Sequence, residues 1–440
     1  MQRRHFLQSL PALAALPQLS HTLTAPPRVA LIGTGWYGKM DLWRLLQISD
    51  ITEVALCDVD RAQLDEADRL LRQKFPRCKI TTYTDHRELL DRERPNIALI
   101  ETPDHWHALQ AIDALRAGAH LYLQKPTGRD VLECAAILDA ARQHERTVQV
   151  ALQRRSTPHL IEAKRRFVDS GRLGEVHHVE MCCYYHMRDG AQRPEQPVPP
   201  GFDYARYTGP APLLPFRGIP HRRWRSFRAY GNGIVGDMCV HMYDTVRWLL
   251  DLGWPVEVRS SGGIYVDKAA DATITDTQHA VFSHPQLDCV WQHRSWGPPV
   301  DDDYPWAFFL YGTKGTLKGS TRRATFIPHD GPPEELPVVY ERDAFPMDVD
   351  EADIELHVAP AIRAHLRDFL GAIATGRRPV ADVEEGYISS ASCLLANLSR
   401  DLGRPLHYDP RTRTIPNDPE ATAALRRPYH NGYTHPATRT

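Results

Sequence analysis

The stretch RVALIGTGWYG, residues 28–38, constrains the fold more than any other part of the chain. An apolar run from Val29 to Ile32 enters Gly33-x-Gly35-x-x-Gly38, and the helix-forming KMDLWRLLQ follows. In such a strand–turn–helix the glycines serve a tight turn, the close approach of a pyrophosphate to backbone, and the packing of helix on strand. The helix N-terminus then offers free N–H groups and a positive dipole end to the phosphates. Trp36 and Tyr37 sit inside the same turn and are assigned to the cofactor with it. The next apolar run, EVALCDVD, ends in Asp58. A carboxylate there accepts hydrogen bonds from the adenosine ribose and repels a 2′-phosphate, which favours NAD over NADP; Arg61 softens that preference. The other reading of Asp58 is a cap for the following helix.

The βα alternation continues, with strands predicted at 79–83, 97–102, 119–124 and 147–152 and helices at 61–74, 85–92, 105–117 and 130–145. Six strands separated by helices imply a doubly wound parallel sheet. Ligands in such sheets bind at the strand C-terminal ends. Three of those ends carry chemistry: ETPDHWHA with Thr102, Pro103 and His107; LYLQKPTG with Lys125 and Pro126; and ALQRRSTP with Arg154. All six residues are assigned to the cofactor cleft.

A chain of 440 residues exceeds one ordinary core. The expected organisation is a leader at 1–25, a dinucleotide-binding domain at 26–152, a second domain at 153–405 and an arm at 406–440. In the second domain, GDMCVHMYDTVRWLLDLG places Asp237, His241 and Asp244 on one helical stripe. Three readings stand: a solvated charge stripe, a metal site or a proton-handling device. No third or fourth metal ligand stands at suitable spacing, so no metal is expected. Two glycines just before the helix, in YGNGIVGD, permit close approach of a ligand and favour proton handling. A formal charge of −2 without a basic run gives no reason to expect nucleic acid. The eight cysteines form no C-x-x-C pair and read as small buried side chains.

As an ordered set, GTGWYG, TPDHWH, the Lys125-Pro126 pair and D-x-x-x-H-x-x-D resemble the Gfo/Idh/MocA oxidoreductases. The resemblance implies an N-terminal Rossmann domain and a C-terminal α/β domain on a large, mostly antiparallel open sheet that mediates dimer or tetramer contacts. It implies that the helix near 358–375 packs back on the nucleotide domain. It also implies that Lys125 is the catalytic lysine of a Glu-Lys-Pro motif, and that Asp237 and His241 are the acid and histidine over the nicotinamide. Two departures stand out: Gln124 replaces the glutamate, and Cys239 occupies a position that is often glycine.

A histidine with an ordinary pKa of about 6.5 suits the removal of a hydroxyl proton. His241 is therefore the expected general acid/base, Lys125 the second proton or charge handler, and Asp237 an orienting or substrate-binding group. Substrate contacts are expected from Tyr185, His186, Arg223, Trp224, Asp244 and His293. Further strands are predicted at 256–265, 277–283, 288–294, 306–311 and 315–319. The first 25 residues, with Arg3-Arg4 before an apolar stretch free of acids, resemble a twin-arginine export signal and imply a periplasmic or extracytoplasmic location. That stretch is too short and proline-broken for a stable membrane span. Three functions are weighed: an NAD(H)-dependent oxidoreductase on a sugar or polyol with tightly held cofactor, a glycosidase that borrows NAD transiently, and a non-catalytic sugar or nucleotide binder.

Overall fold

The computed structural model describes residues 27–184, 188, 190–218, 221–348 and 355–438. The expected leader at 1–25, and with it the export expectation, lies outside them, as do Tyr185 and His186. Strands β1 (Arg28–Ile32), β2 (Glu53–Cys57), β3 (Lys79–Tyr83), β4 (Ile97–Ile100), β5 (His120–Leu123) and β6 (Val148–Val150) form one sheet in the order β3-β2-β1-β4-β5-β6. All its pairings are parallel. The alternation within β1 explains the two helical layers. Val29 and Leu31 pack with Leu42, Leu45 and Leu64 on one face, while Ala30 and Ile32 meet Ala108, Ala111 and Ile137 on the other. Chain order reverses between β1 and β4, and the crevice of such a sheet opens at that switch point.

The second sheet contains β7 (Val176–Cys183), β8 (Glu257–Gly263), β9 (Thr277–His284), β10 (Leu287–Arg294), β11 (Trp306–Gly312), β12 (Gly315–Ser320), β13 (Arg323–Pro328) and β14 (Glu334–Pro337). Its order is β14-β13-β12-β11-β7-β10-β9-β8, antiparallel except where β7 meets β10. One face buries Met181, Phe282, Trp291, Phe308 and Phe326 beneath the helices Val240–Leu250 and Val383–Leu402. Strands β13 and β14 and the second of these helices had no assignment from sequence. That helix buries most of its circumference, from Gly386 to Asn397 without a break, so it carries little amphipathic signal. No described helix is long and apolar enough to cross a membrane.

Two tail segments return to the nucleotide domain. The helix Ala359–Thr375 places Ile362, Leu366 and Phe369 in the same core cluster as Val29 and Leu42. The arm after 405 lies on its own chain. The Arg427 backbone N–H donates to Asp130 (3.0 Å) and its guanidinium to Glu133 (2.8 Å), Tyr429 Oη donates to Glu133 (2.7 Å), and His435 Nε2 lies 3.0 Å from Asp130. Asp130, Glu133 and His435 converge closely enough to hold a metal ion. Arg427 already supplies the positive charge there, so the cluster acts as a clamp for the arm.

Candidate active site

The glycine-rich turn requires glycine at two places. Gly33 has φ +99°, and a Cβ there would lie 2.7 Å from the Glu101 backbone. A Cβ at Gly38 would lie 2.2 Å from the Gly33 carbonyl oxygen, so the helix Trp36–Gln47 could not approach the turn. Overpacking of this kind costs about 1–3 kcal/mol. Gly38→Ala is expected to lower stability by that amount in urea denaturation. Gly35, by contrast, faces open space at the helix N-terminus, where a pyrophosphate would lie against backbone.

Asp58 Oδ2 accepts from the Thr34 N–H (2.8 Å) and hydroxyl (3.1 Å), and Oδ1 accepts from the Asp60 N–H (2.9 Å). Burial nevertheless raises its pKa. The cap of the helix Arg61–Lys74 is Asp60, which leaves Asp58 on the cleft wall. Arg61 turns away to pair with Asp65 on its own helix, half exposed and outside the cleft; an i,i+4 partner on the solvated face draws it off the expected cofactor position. Thr102 and Pro103 border the cleft. His107 joins two strand-end turns, with Nε2 2.8 Å from the Thr102 carbonyl and Nδ1 2.7 Å from that of Pro126. Burial takes it down to about 4. Tyr37 accepts a hydrogen bond from Gln153 Nε2 (2.8 Å) and, with Trp36, lines the cleft beyond Gly35.

A roof closes the adenosine half. The Asp203 N–H donates to the Val59 carbonyl (3.0 Å), the Arg61 N–H to that of Gly201 (3.0 Å), and Trp106 Nε1 to that of Tyr207 (2.9 Å). Phe202, Tyr207, Trp224 and the arm residue Tyr433 line this part. Trp224, expected as a substrate contact, borders both halves of the cleft. Phe202 and Tyr207 belong to an aromatic-rich loop whose length was the only signal, and nothing in the sequence connects Tyr433 with the edge of Trp106 (ring centroids 5.4 Å apart).

The other half holds the chemistry. Lys125, joined to Pro126 by a cis peptide bond, donates from Nζ to the Asp237 carbonyl (3.0 Å) and to its carboxylate. Arg225 Nε lies 3.3 Å from the second carboxylate oxygen. Burial alone would raise the Asp237 carboxyl, but Lys125 and Arg225 outweigh it and hold the group below the usual range. Asp237 lies in a widened, π-type helical turn, Val235–Cys239, which runs into the helix Val240–Leu250 bearing His241. The His241 ring is buried edge-on against Trp306 (centroids 5.6 Å apart), and its Nδ1 has no partner in the described chain. Burial, then Lys125 and Arg154, lower its pKa well below 6.5, so the imidazole is neutral at pH 7. Arg154 lies over the Trp306 ring, 5.0 Å from its centroid, and lines the same half of the cleft. Asp104, unassigned from sequence although it follows Thr102-Pro103 directly, also lines this half. Its Oδ2 accepts from the Asn232 N–H (3.1 Å) and side-chain amide (3.0 Å). Burial and the Asp237 charge push it up to about 7.

Three expected substrate residues lie elsewhere. Asp244 continues the stripe of Asp237 and His241, but the helix dives beneath the cleft. There Asp244 accepts a bidentate pair from Arg155 Nε (2.9 Å) and Nη2 (2.8 Å) and a bond from the Ser389 hydroxyl (2.7 Å). His293 shares the buried face of β10 with Trp291, whose Nε1 donates to its Nδ1 (3.1 Å). Arg223 pairs with Asp271 and stacks on Phe227, anchoring the loop that presents its neighbours Trp224 and Arg225.

A parallel sheet whose C-terminal edge faces an open-sheet domain, with a lysine and a neutral histidine lining one continuous cleft, is the framework of a dinucleotide-binding site. The family model "Oxidoreductase family, NAD-binding Rossmann fold" matches residues 27–152, and the "GFO/IDH/MocA C-terminal domain" matches 202–318. The chain belongs to the Gfo/Idh/MocA oxidoreductase family. It is similar to an alpha-N-acetylgalactosaminidase of Shewanella oneidensis, 31% identical over 166 residues, which are 37% of this chain and 36% of that protein. The chain thus matches little more than a third of the length of that relative. Among solved structures, an oxidoreductase from Agrobacterium radiobacter in complex with NAD+, L-tartaric acid and magnesium superposes with TM-score 0.65 at 17% identity, covering 87% of this chain and 98% of the other. An inositol dehydrogenase homologue from Azotobacter vinelandii, complexed with NADH and myo-inositol, gives TM-score 0.64 at 17% identity, with 89% and 100% covered.

Proposed function

We propose that this chain oxidises a hydroxyl of a sugar, polyol or glycoside with NAD held in the cleft. The carrying observation is the convergence of Lys125 and His241 in a cleft continuous with Asp58 and the open face of Gly35. These residues fit the cofactor: backbone without a side chain for the pyrophosphate, and a carboxylate at the end of β2 for the ribose. NAD, when bound, supplies the hydride acceptor. His241, neutral and lining this half of the cleft, takes the hydroxyl proton. Lys125 donates a hydrogen bond to the same oxygen as it becomes a carbonyl, and Asp237, braced by Arg225, fixes the lysine. Trp224 and Trp306 offer apolar faces to a sugar ring.

Asp104 favours a second reading, glycoside cleavage. Oxidation of a ring hydroxyl acidifies the adjacent C–H. A base removes that proton, the glycosidic oxygen leaves with its bonding electrons and gains a proton, water adds, and the hydride returns to the carbonyl. The sequence needs one proton carrier beyond His241 and Lys125, and a carboxyl titrating near 7 in the same cleft suits that task. The relation to an alpha-N-acetylgalactosaminidase points the same way. A closed redox cycle also suits export by the twin-arginine route with cofactor already in place, because it requires no external nucleotide. Pairing of two copies through the outer face of the eight-stranded sheet is part of this proposal.

The protein, purified without added nucleotide, is to be denatured and the released nucleotide identified by mass spectrometry. The intact protein is then offered free sugars, polyols and p-nitrophenyl glycosides. NAD retention with nitrophenol release supports the glycosidase. Net NADH formation supports the plain dehydrogenase. A protein that neither retains nor binds NAD overturns both.

A further inference from the structure

Gln124 removes the acid that the resemblance places before Lys125, yet the structure puts acid back beside it. The Gln124 amide donates to Asp41 Oδ2 (2.9 Å), and the Asp41 and Glu101 carboxyls lie near enough for each to act on the other's ionisation. Asp41 comes from the helix Trp36–Gln47 and is fully buried. Glu101 follows β4 directly and lines both halves of the cleft. Asp41 Oδ1 and both Glu101 oxygens are buried with no donor from the described chain. Arg44 and Lys125 act on the pair only as nearby charges, and the buried hydroxyls of Tyr37 and Tyr122 complete its surroundings.

Two buried carboxyls this close, with one amide donor between them, cannot both ionise. They hold one proton and one negative charge. Burial raises both; Asp41 raises Glu101 further, while Glu101 and Gln124 lower Asp41, so the proton rests on Glu101 and the charge on Asp41. A fixed charge at the junction of the two cleft halves discriminates between the cofactor's forms, because the oxidised nicotinamide ring is cationic and the reduced ring is neutral.

We infer that Asp41 and Glu101 together replace the acid missing at Gln124 and tilt the site toward NAD+ over NADH. The pair thereby tunes the site, and the inference rests on the proposed use of NAD. Affinities for NAD+ and NADH are to be measured separately, by calorimetry and by NADH fluorescence, in wild type, Asp41→Asn/Glu101→Gln and the exchange variant Glu101→Gln/Gln124→Glu. Either carboxyl alone would keep the single charge, so both are removed together, and the preference for NAD+ is then expected to fall roughly tenfold, as the loss of one partly screened charge implies. The exchange variant, with an acid back before the lysine beside Asp41, is expected to keep the preference. An unchanged ratio of affinities in Asp41→Asn/Glu101→Gln, with both forms still bound, overturns the inference. Should that variant fail to fold, an exchange variant that folds without a preference for NAD+ overturns it equally. Failure of wild type to bind either form falls instead on the proposed function.

Discussion

Replacing His241 with asparagine is expected to lower substrate oxidation by roughly two to four orders of magnitude, the usual contribution of a positioned general base, while leaving NAD+ affinity nearly intact. The asymmetry follows from position. His241 sits in the half of the cleft walled by Trp306, Lys125 and Asp237, and it does not line the adenosine half. Its ring is held by packing on Trp306 and makes no bond through Nδ1, so asparagine removes the base without breaking a hydrogen bond through that nitrogen. The pH profile gives an independent check. Burial and the nearby Lys125 charge keep the imidazole neutral far into the acid range. The acid limb of kcat/KM for oxidation in wild type should therefore lie well below pH 6.5, with activity rising as pH rises through it. In the variant the residual rate should lose that limb. A variant with wild-type turnover in single-turnover NADH formation removes His241 from the proton path.

Much of this was legible in the sequence because the relevant signals are local. The glycine turn, Asp58, the ends of β4 and β5, and the Asp237–His241 pair each lie within one short motif, and the doubly wound order follows from apolar runs alternating with helices. What was not legible depends on tertiary placement. Asp104 and Glu101 flank Thr102-Pro103, but their burial, and hence their proton affinity, is set by Asn232, Asp41 and Asp237 from other elements. Tyr433 reaches the cleft because Arg427 and His435 dock on Asp130 and Glu133, far away in sequence. Helical periodicity, in turn, overreached at Asp244. It reports which residues share a stripe, and it does not say how far along that stripe the cleft extends.

Asp244 therefore supports the opposite forecast from the one its stripe implies. As a substrate ligand, its loss would raise KM and leave stability alone. As built, the side chain is 1% exposed and takes both arms of Arg155, with Ser389 as third donor and Arg247 4.0 Å away. Glu385, one-third exposed, is the remaining carboxylate for both arginines. Asp244→Ala leaves two buried guanidinium groups sharing that single acid, and breaking a buried pair in this way costs about 3–5 kcal/mol. Urea denaturation should show that loss, and the folded fraction should keep the wild-type KM. The same physics predicts a partial rescue. Asp244→Leu combined with Arg155→Met removes both charges and fills the space with apolar atoms, so the double variant should be more stable than Asp244→Ala. It leaves Glu385 with Arg247, a one-to-one pair at 3.1 Å. A double variant no better than the single one would mean that the site depends on the Arg155–Glu385 contact and on the Arg155 bond to the Val380 carbonyl (3.1 Å). In that case Arg155, rather than Asp244, ties the helix Val383–Leu402 to the floor of the cleft.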